Sequence, residues 1–474
     1  MFGMINEAIK WIDEKVWGLP LIILILGGGI FLTLRLKGLQ IRHLPKALKF
    51  MVRNEEGGKG EISSFGALCT AMSATIGTGN IVGVATAIFV GGPGALLWMW
   101  VAALFGMATK YSEGVLAVKY RHIDKDGHVL GGPYYYIEKG MGARWKWLGK
   151  LFAFFGAGVG LLGIGTFTQV NGITGAVKGF FDADGAHTVR LFGMEYSWAV
   201  ILAGAVLTVC VALVIIGGIK RISHVSTLVV PFMAILYITV CVTLLVCNAA
   251  KIPAAFVSII ESAFGMRAIS GGAMGAMWIA MQKGVARGIF SNEAGLGSAP
   301  IAAAAAQTKS CVRQGLVSMT GTFIDTVVIC TMTGLCIVLT GTYVGHGEGV
   351  EITTAAFGQG LFFLPEWVSS FILMLCLVFF AFTTILGWNY YGERCLEYLS
   401  GGNCVAVMVY RWLYIIAVFV GPYMTVEAVW NIADIFNGLM ALPNMIALLA
   451  LSGVVAKETR EYFGHMRKVN LKSK

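Results

Sequence analysis

Long uninterrupted runs of apolar residues dominate the hydrophobic pattern of this chain. None of them alternates between apolar and polar positions as the strands of a membrane barrel do, and several reach the roughly 20 residues with which an α-helix crosses about 30 Å of hydrocarbon. The pattern therefore predicts an all-α polytopic membrane protein. Eleven transmembrane helices are predicted, near residues 19–36, 64–90, 92–118, 147–177, 196–217, 224–247, 266–290, 313–341, 366–392, 404–421 and 427–455.

The first 18 residues follow a different pattern, in which the apolar positions form one stripe along a helix. The stripe consists of Phe2, Ile5, Ile9, Ile12 and Val16. Polar and charged residues occupy the rest of the circumference, so residues 1–18 are predicted to form an amphipathic helix that lies in the membrane interface. The segment lacks the basic start and the continuous apolar stretch of a signal peptide, and we expect it to be retained.

The order of the predicted spans indicates an internal repeat. If the span at 19–36 is set aside as an extra helix, the remaining ten form two sets of five, at 64–247 and 266–455. Because five is an odd number, the second set must enter the membrane from the opposite face, which is the arrangement of transporters built from inverted repeats. The sequence thus predicts an inverted repeat of five plus five helices, preceded by one extra helix.

Both predicted repeats open with a Gly-rich segment that polar residues interrupt. The first contains the sequence SATIGTGN at 73–80, and the second runs from Gly271 through Gly288 to the sequence SNEAG at 291–295. We expect the first helix of each repeat to be broken at these segments. Paired broken helices at corresponding positions are the feature that best indicates a central binding site in a transporter.

Composition and charge support this organisation. The chain is 57% hydrophobic and only 13% charged, which excludes an ordinary soluble domain. Of its 35 Lys and Arg residues, 23 lie in one alternate set of loops and in the tail, whereas the amino-terminal segment and the loops of the other set carry five. The richer segments are 37–61, 119–147, 218–224, 300–314, 393–404 and 456–474.

Because positively charged segments stay in the cytoplasm, this distribution places the amino terminus outside and the carboxyl terminus inside. Residues 37–63 then form a basic cytoplasmic loop, and residues 456–474 form a basic cytoplasmic tail. The chain has a net charge of +10, and its basic residues are dispersed over short loops, where they set the orientation of the protein in the membrane. We therefore expect no nucleic-acid partner.

A helix broken at Gly77 and Gly79 would leave backbone N–H and C=O groups without partners near the middle of the bilayer, at several kcal/mol each. A carboxylate can satisfy such N–H groups, and Na⁺ or an ammonium group can satisfy the carbonyls. The side chains of Thr75, Thr78 and Asn80 add further donors and acceptors. The alternative is that these glycines only allow helices to pack closely, and the spacing alone leaves both readings open.

Four stretches of the sequence resemble conserved motifs of the alanine/glycine:cation symporter family. The most specific is GGPGALLWMWVAALFG at 91–106, where the family signature has Phe in place of Leu97. The others are ATIGTGN at 74–80, FSNEAGLGSAP at 290–300, and Gly387-Trp388 followed by YYGE at 390–393. The motifs occur in the family's order, and the likeness covers nearly the whole chain.

The resemblance implies a secondary active transporter of a prokaryotic plasma (inner) membrane. Such a protein would carry small neutral amino acids, alanine and glycine, into the cell by alternating access, with Na⁺ as the coupling ion. Another neutral amino acid, such as glutamine or serine, or coupling to protons, remains an alternative within the same fold. A channel or an intramembrane enzyme is disfavoured, because we find no catalytic constellation and the two broken helices imply tight coupling.

The resemblance also implies a site lined by the first, third, sixth and eighth core helices, here the spans at 64–90, 147–177, 266–290 and 366–392. The expected substrate contacts are Thr75, Gly77, Thr78, Gly79, Asn80, Phe167, Gln169, Asn171, Trp278, Ile279, Met281 and Trp388. Gln169 and Asn171 could instead bridge helices, and the aromatic residues could serve packing.

The expected sodium ligands are the carbonyl groups of Ser73 and Ile76 with the hydroxyls of Thr383 and Thr384. Hard oxygen ligands suit a hard cation, although threonine hydroxyls can also bond back within their own helix. Asp325 is expected near mid-bilayer, and Asn431, Asp434 and Asn437 form a polar stripe on the last span. Either set could act in transport or pair with Arg287 or Lys283.

The charge distribution gives a testable topology. In a variant without the native cysteines, a cysteine placed at Glu348 should react with a membrane-impermeant reagent in intact cells. A cysteine at Lys125 should react only after the membrane is opened, because its loop belongs to the basic, cytoplasmic set. The opposite pattern of labelling would contradict the predicted orientation.

Overall fold

The computed structural model describes residues 2–53, 55, 57–125, 127–191, 194–265, 272–424 and 427–472. The start of the second predicted Gly-rich segment, including Gly271, lies outside these residues. In the described part of the chain the protein is mostly helical. The helices are α1 (Phe2–Val16), α2 (Leu19–Arg35), α3 (Leu39–Arg42), α4 (Leu44–Val52), α5 (Ser64–Thr75), α6 (Val84–Gly91), α7 (Ala95–Lys119), α8 (Pro133–Tyr136), α9 (Lys146–Leu162), α10 (Phe167–Phe181), α11 (Trp198–Ile215), α12 (Gly218–Cys247), α13 (Ile252–Ala263), α14 (Ala273–Asn292), α15 (Ala299–Ala304), α16 (Cys311–Thr322), α17 (Thr331–Thr340), α18 (Val350–Gly360), α19 (Glu366–Leu399), α20 (Cys404–Val420), α21 (Glu427–Ala450) and α22 (Ser452–Lys472).

Short strands join parts of the loops between these helices. They are β1 (Ile62–Ser63), β2 (His122–Ile123), β3 (Val129–Leu130), β4 (Thr188–Leu191), β5 (Met194–Ser197) and β6 (Ala306–Gln307). Strands β2 with β3 and β4 with β5 form antiparallel hairpins, whereas β1 pairs in parallel with β6. The parallel pair therefore links the segment before α5 to the segment after α15.

Length and apolar composition identify six helices that could cross a membrane, or eight if each of two bent pairs counts as one span, among the described residues. The protein is thus a multi-pass membrane protein. A helix runs along each of the eleven predicted spans, but several, such as α7 and α14, carry polar and charged residues that hydropathy alone does not assign to a membrane. The count of eleven spans stays a prediction.

The first broken helix consists of α5 and α6 with a short irregular segment between them. Ser63 caps the start of α5 by accepting a hydrogen bond from the Gly66 N–H at 2.9 Å. The chain turns extended at Ile76 (φ −81°, ψ 93°) and re-enters a helix through the π-helical segment Gly79–Gly83. The two halves differ in direction by 55°. The break therefore falls where the glycines of the SATIGTGN stretch predict it.

The second broken helix consists of α14 and α15, and its break spans 293–298. Glu293 ends α14 in the left-handed conformation (φ +54°), and Gly295 and Gly297 also have positive φ. A side chain at Gly297 would meet Phe152, Pro133 and Asn444 within 2.9 Å, so only glycine fits this turn. Both breaks end up in the interior, where almost every polar group needs a protein partner.

The long helix α19 packs directly on α5 and positions the first break. Gly387 of α19 lies against Ala74, such that a Cβ atom at Gly387 would stand 2.7 Å from the Ala74 nitrogen. The absence of a side chain lets the two backbones approach closely. Thr383 and Thr384 lie about one turn earlier on α19, and this contact therefore places them beside the break.

At the end of the bundle that carries the basic loops, further contacts hold the segment before α5. Arg121 donates to the carbonyl groups of Ala304 and Ala306 at 2.7 Å each. The His128 ring lies between Glu397, at 3.1 Å from Nε2, and Glu61, at 3.0 Å from Nδ1. Hydrogen bonds to Glu397 and then Glu61 raise the pKa of His128 to about 9.

The close approach of α19 and α5 can be tested by adding one methyl group. Gly387→Ala should destabilise the protein by about 1–3 kcal/mol, because the methyl group meets backbone atoms that cannot move aside. Gly27→Ala in α2 is the matched control, since its Cβ position has no neighbour within 4 Å. Thermal unfolding in detergent measures both. Equal transition temperatures for the two variants would show that the α5–α19 contact is not tight.

Candidate functional site

Side chains from two other helices satisfy backbone groups of the first break. The Gly77 N–H donates to Asn80 Oδ1 at 2.9 Å, within the break itself. The Thr78 N–H donates to Gln169 Oε1 of α10 at 3.2 Å, and the Ile76 carbonyl accepts from Thr384 Oγ1 of α19 at 3.2 Å. All of these groups are buried. The break is therefore lined by polar groups whose partners are neutral side chains.

A buried carboxylate holds the far side of the break. Asn80 Nδ2 donates to Asp325 Oδ1 at 2.7 Å, and Asp325 Oδ2 accepts from Ser291 Oγ at 2.9 Å and from Thr326 Oγ1 at 2.7 Å. Asp325 belongs to the π-helical segment Phe323–Cys330, and Ser291 lies in the last turn of α14. The cluster thus connects the first break to the end of the helix that contains the second break.

A cavity of about 370 Å³ adjoins the break. We call it the break cavity; it lies between the first break, α10, α14 and α21, and its lining includes Thr78, Gly79, Asn171, Gly172, Phe290 and Asp434. Thr78 packs closely on α10, because a Cβ atom at Gly172 would stand 2.6 Å from Thr78 Cγ2. The volume is within the range of pockets that bind small molecules.

Of the substrate contacts predicted on the first broken helix and α10, Thr78, Gly79 and Asn171 line the break cavity, whereas Gly77, Asn80 and Gln169 bond to one another or to Thr78 within the break. Gln169 contacts the break directly, and Asn171 lines the break cavity while its Nδ2 donates to the Met424 carbonyl at 3.3 Å. Phe167 is buried beside Gly421 at the start of α10. Thr75 is buried at the end of α5, where its hydroxyl bonds back to the Met72 carbonyl at 3.3 Å.

The predicted contacts on α14 lie elsewhere. Trp278 and Ile279 are 42% and 43% exposed. Trp278 and Met281 line an apolar cavity beside α2. The reason is the position of the break in this helix, which follows Asn292 and so lies about 20 Å along the axis from Ile279. Phe290 is instead the α14 residue beside the first break, since a Cβ atom at Gly79 would lie 3.6 Å from its ring.

Trp388 takes part in the second break. Its ring is buried, and Nε1 donates to Glu293 Oε1 at 3.1 Å. Ser298 also donates to the Glu293 carboxylate, across the turn that joins α14 to α15. Trp388 therefore stabilises the irregular segment of the second broken helix.

Two buried charges that the sequence reasoning passed over also hold the second break. Lys110 Nζ donates to the Glu293 carbonyl at 3.1 Å, and Glu113 Oε1 accepts from the Gly295 N–H at 3.1 Å. Asn444 Nδ2 donates to the same Glu113 oxygen at 2.7 Å. The sequence indicated a role for Lys110 and Glu113, because two charged residues one turn apart inside an apolar span must have buried partners.

The proposed sodium ligands are brought together only in part. The Thr384 hydroxyl lies 3.2 Å from the Ile76 carbonyl and 3.0 Å from the Phe380 carbonyl of its own helix, so it can donate to either. The Thr384 and Ile76 oxygens are both buried, and this pair fits the oxygen ligands that a hard cation requires. The Thr383 hydroxyl bonds back to the Phe380 carbonyl at 3.0 Å and lies 3.5 Å from Met233 Sδ. The Ser73 hydroxyl donates to the Thr70 carbonyl at 2.8 Å, which leaves the Ser73 carbonyl as the group expected to bind.

A family model described as the sodium:alanine symporter family matches residues 2–474. The chain belongs to this family. The resemblance seen in the sequence motifs is therefore confirmed, and the protein is a transporter, not an enzyme.

Three relatives show how members of the family differ. The chain is 53% identical over 466 residues to an uncharacterised transporter of Haemophilus influenzae, with 98% of this chain and 97% of the relative covered. It is 47% identical over 477 residues to the sodium/alanine symporter AgcS of Methanococcus maripaludis, with 98% and 99% covered. It is 37% identical to the probable sodium/glutamine symporter GlnT of Bacillus subtilis, with 98% and 91% covered.

The fold is also similar to that of a solved transporter. The crystal structure of MhsT in complex with L-phenylalanine matches 85% of this chain and 99% of that chain with a TM-score of 0.52. The sequences are 12% identical, so the likeness concerns the fold alone.

The tightest glycine of the first break gives a test of the site. Gly77→Ala should lower the affinity for labelled alanine by roughly 5- to 150-fold, because the methyl group would stand 2.5 Å from Thr384 Oγ1 and 3.1 Å from Gln169 Oε1. Gly79→Ala should cause a smaller loss, since its methyl group makes an ordinary contact with Phe290.

Equilibrium binding in detergent with saturating sodium measures both variants. Gly179→Ala in α10 is the control, because its Cβ position has no neighbour within 4 Å. Normal alanine binding by a folded Gly77→Ala protein would exclude the first break from the site.

Proposed function

We propose that this protein couples the entry of a small neutral amino acid, alanine or glycine, to the entry of Na⁺ by alternating access. The observation that carries the proposal is the first break, where the Ile76 carbonyl meets the Thr384 hydroxyl, and where Thr78, whose N–H donates to Gln169, lines the break cavity. The name of AgcS, at 47% identity over nearly the whole chain, supports both the cation and the substrate.

In this proposal Na⁺ binds between α5 and α19. The carbonyl oxygens of Ser73 and Ile76 and the hydroxyls of Thr383 and Thr384 would form its shell. Each hydroxyl would give up its present hydrogen bond as donor and turn a lone pair to the cation. Neutral oxygens suit a cation that must be released again, because a fixed negative charge would bind it more strongly.

The amino acid would bind on the other side of the break. Its carboxylate would take the Thr78 N–H from Gln169, since a charged acceptor forms a stronger hydrogen bond than a neutral amide. The freed Gln169 oxygen could then accept from the ammonium group. Gly77 and Gly79 leave room for this approach, Asn80 fixes the break, and Phe167, Asn171 and Thr75 border the bound molecule.

Coupling follows because the two ligands bind adjacent residues of the same break. Na⁺ bound at Ile76 would order the chain next to Thr78 and so prepare the carboxylate site. The driving energy is about 2.3 kcal/mol per charge for each 100 mV, plus about 1.4 kcal/mol for each tenfold sodium gradient. These magnitudes suffice for strong accumulation of a neutral substrate.

The membrane arrangement that we propose has eleven spans, with the amino terminus outside and the carboxyl terminus in the cytoplasm of a prokaryotic cell. The two sets of five helices at 64–247 and 266–455 would form an inverted repeat. The parallel pairing of β1 with β6 supports it, because it joins the start of one broken helix to the end of the other.

Glutamine is a second candidate substrate. The break cavity of about 370 Å³ extends along α10 past Gly175, beyond the space that an alanine methyl group needs. The relative GlnT at 37% identity is named for glutamine. Competition of labelled alanine with unlabelled glutamine, serine and glycine would rank these substrates.

Uptake into proteoliposomes tests the proposed coupling. Labelled alanine should accumulate under an inward sodium gradient but not under a potassium or proton gradient of the same size. Accumulation under the proton gradient alone would favour proton coupling. Failure to accumulate alanine under any of the three gradients would contradict symport.

The hydroxyl groups of α19 give the sharper test of the sodium site. Thr384→Val keeps the side-chain shape but removes the oxygen that contacts Ile76, so the sodium concentration for half-maximal uptake should rise roughly tenfold. Thr383→Val is the matched variant, and its effect should be smaller, because both hydroxyls bond back to the Phe380 carbonyl but only that of Thr384 also reaches the Ile76 carbonyl. Unchanged sodium dependence in both folded variants would exclude this site.

A further inference from the structure

A second cavity, of about 550 Å³, lies between α1, α14 and the start of α21. We call it the charged cavity; its polar lining is formed by Asp13, Lys15, Gln282, Lys283, Arg287 and Asp434. Trp11 and Trp17 of the amino-terminal segment border it as well. The cavity thus offers groups of both charge signs together with aromatic surfaces.

The charged cavity adjoins the break cavity. Arg287, Phe290 and Asp434 line both, and Lys283, Arg287 and Phe290 follow one another at helical spacing along one face of α14. This face extends about 10 Å, from Lys283 to the Phe290 ring that stands beside Gly79. The Arg287 guanidinium lies over the same ring, 5.5 Å from its centre.

The amino-terminal helix is fixed over this cavity. Trp17 Nε1 donates to the Asp434 carbonyl at 2.9 Å, and α1 packs along α21. Gly438 makes the contact possible, because a Cβ atom there would stand 2.5 Å from Val16 Cγ1. The amphipathic segment thereby forms one wall of a polar cavity.

We propose that the charged cavity is a second amino-acid site, which takes a zwitterion before it passes Phe290 to the break cavity. The carboxylate would face Lys283 and Arg287, and the ammonium group would face Asp434. The proposal rests on the function proposed above and assigns that function a second site.

The mixture of charges favours a zwitterion over a simple ion. An anion bound at Lys283 and Arg287 would lie near Asp434, and a cation bound at Asp434 would lie near Arg287, so each would meet repulsion as well as attraction. A zwitterion places a charge of the right sign against both sets. A phospholipid headgroup such as phosphatidylethanolamine shares this chemistry, and the experiment must separate the two sources.

The stoichiometry of alanine binding tests the proposal. Purified protein in lipid-free detergent with saturating sodium should bind two labelled alanine molecules per chain. Lys283→Gln should weaken one of them by about tenfold or more, and Lys283→Arg should restore it. Lys178→Gln is the control, because Lys178 is an exposed lysine of α10 that lines neither cavity.

Competition identifies the ligand of the second site. Neither propionate nor ethylammonium alone should displace the second alanine, and micelles with phosphatidylethanolamine should not displace it either. Displacement by propionate would identify an anion site, and displacement by the lipid would identify a headgroup site; both results would overturn the proposal.

The outcome also separates this proposal from the proposed function. One alanine per chain, with an affinity that Lys283→Gln does not change, would overturn the second site while sodium-driven uptake continued. If the wild-type protein bound no alanine at all, this result would contradict the proposed function itself.

Discussion

Unpaired backbone groups inside a membrane protein are the constraint on which this structure depends. A helix interrupted between Thr75 and Gly79 leaves N–H and C=O groups that neither lipid nor the helix can satisfy, and each would cost several kcal/mol. In the folded protein, side chains from distant parts of the chain form hydrogen bonds with these groups: Gln169 of α10 accepts from the Thr78 N–H, and Thr384 of α19 donates to the Ile76 carbonyl. The packing of those helices on α5 is therefore a condition for the break to exist.

The two breaks are satisfied by different chemistry. Neutral amide and hydroxyl groups bond directly to the backbone of the first break, and the Asp325 carboxylate lies behind them on Asn80. At the second break the charged groups Lys110 and Glu113 bond directly to the backbone, and the Glu293 carboxylate accepts from Trp388. Buried charges lose much more than neutral groups when their partners leave. The second break is thus the more firmly held, and the groups that can exchange partners at low cost are concentrated at the first.

The sequence predicted the parts of this arrangement that follow from local chemistry. Glycines and polar residues within an apolar run indicated the first break, and family motifs indicated that α19 hydroxyls lie beside it. The sequence did not place the second break, because Gly271 to Gly295 offers several glycines and only tertiary contacts at Gly297 select the turn. Trp278 and Ile279 were expected at the site for that reason, although the wall there is Phe290. Lys110 and Glu113 were visible as charges, but their partners come from segments about 180 and 330 residues away.

The strength of the contacts at the first break bears on reversibility. A transporter must bind its substrate and release it, so the groups it offers cannot be left unpaired and cannot be paired too strongly. The Thr78 N–H has a neutral acceptor at 3.2 Å, near the long end of hydrogen-bond geometry. A carboxylate would compete with such an acceptor because charge-assisted bonds are roughly twice as strong, and on its departure Gln169 would return. In the proposed mechanism, Gln169 would thus both close the break and be displaced by the substrate.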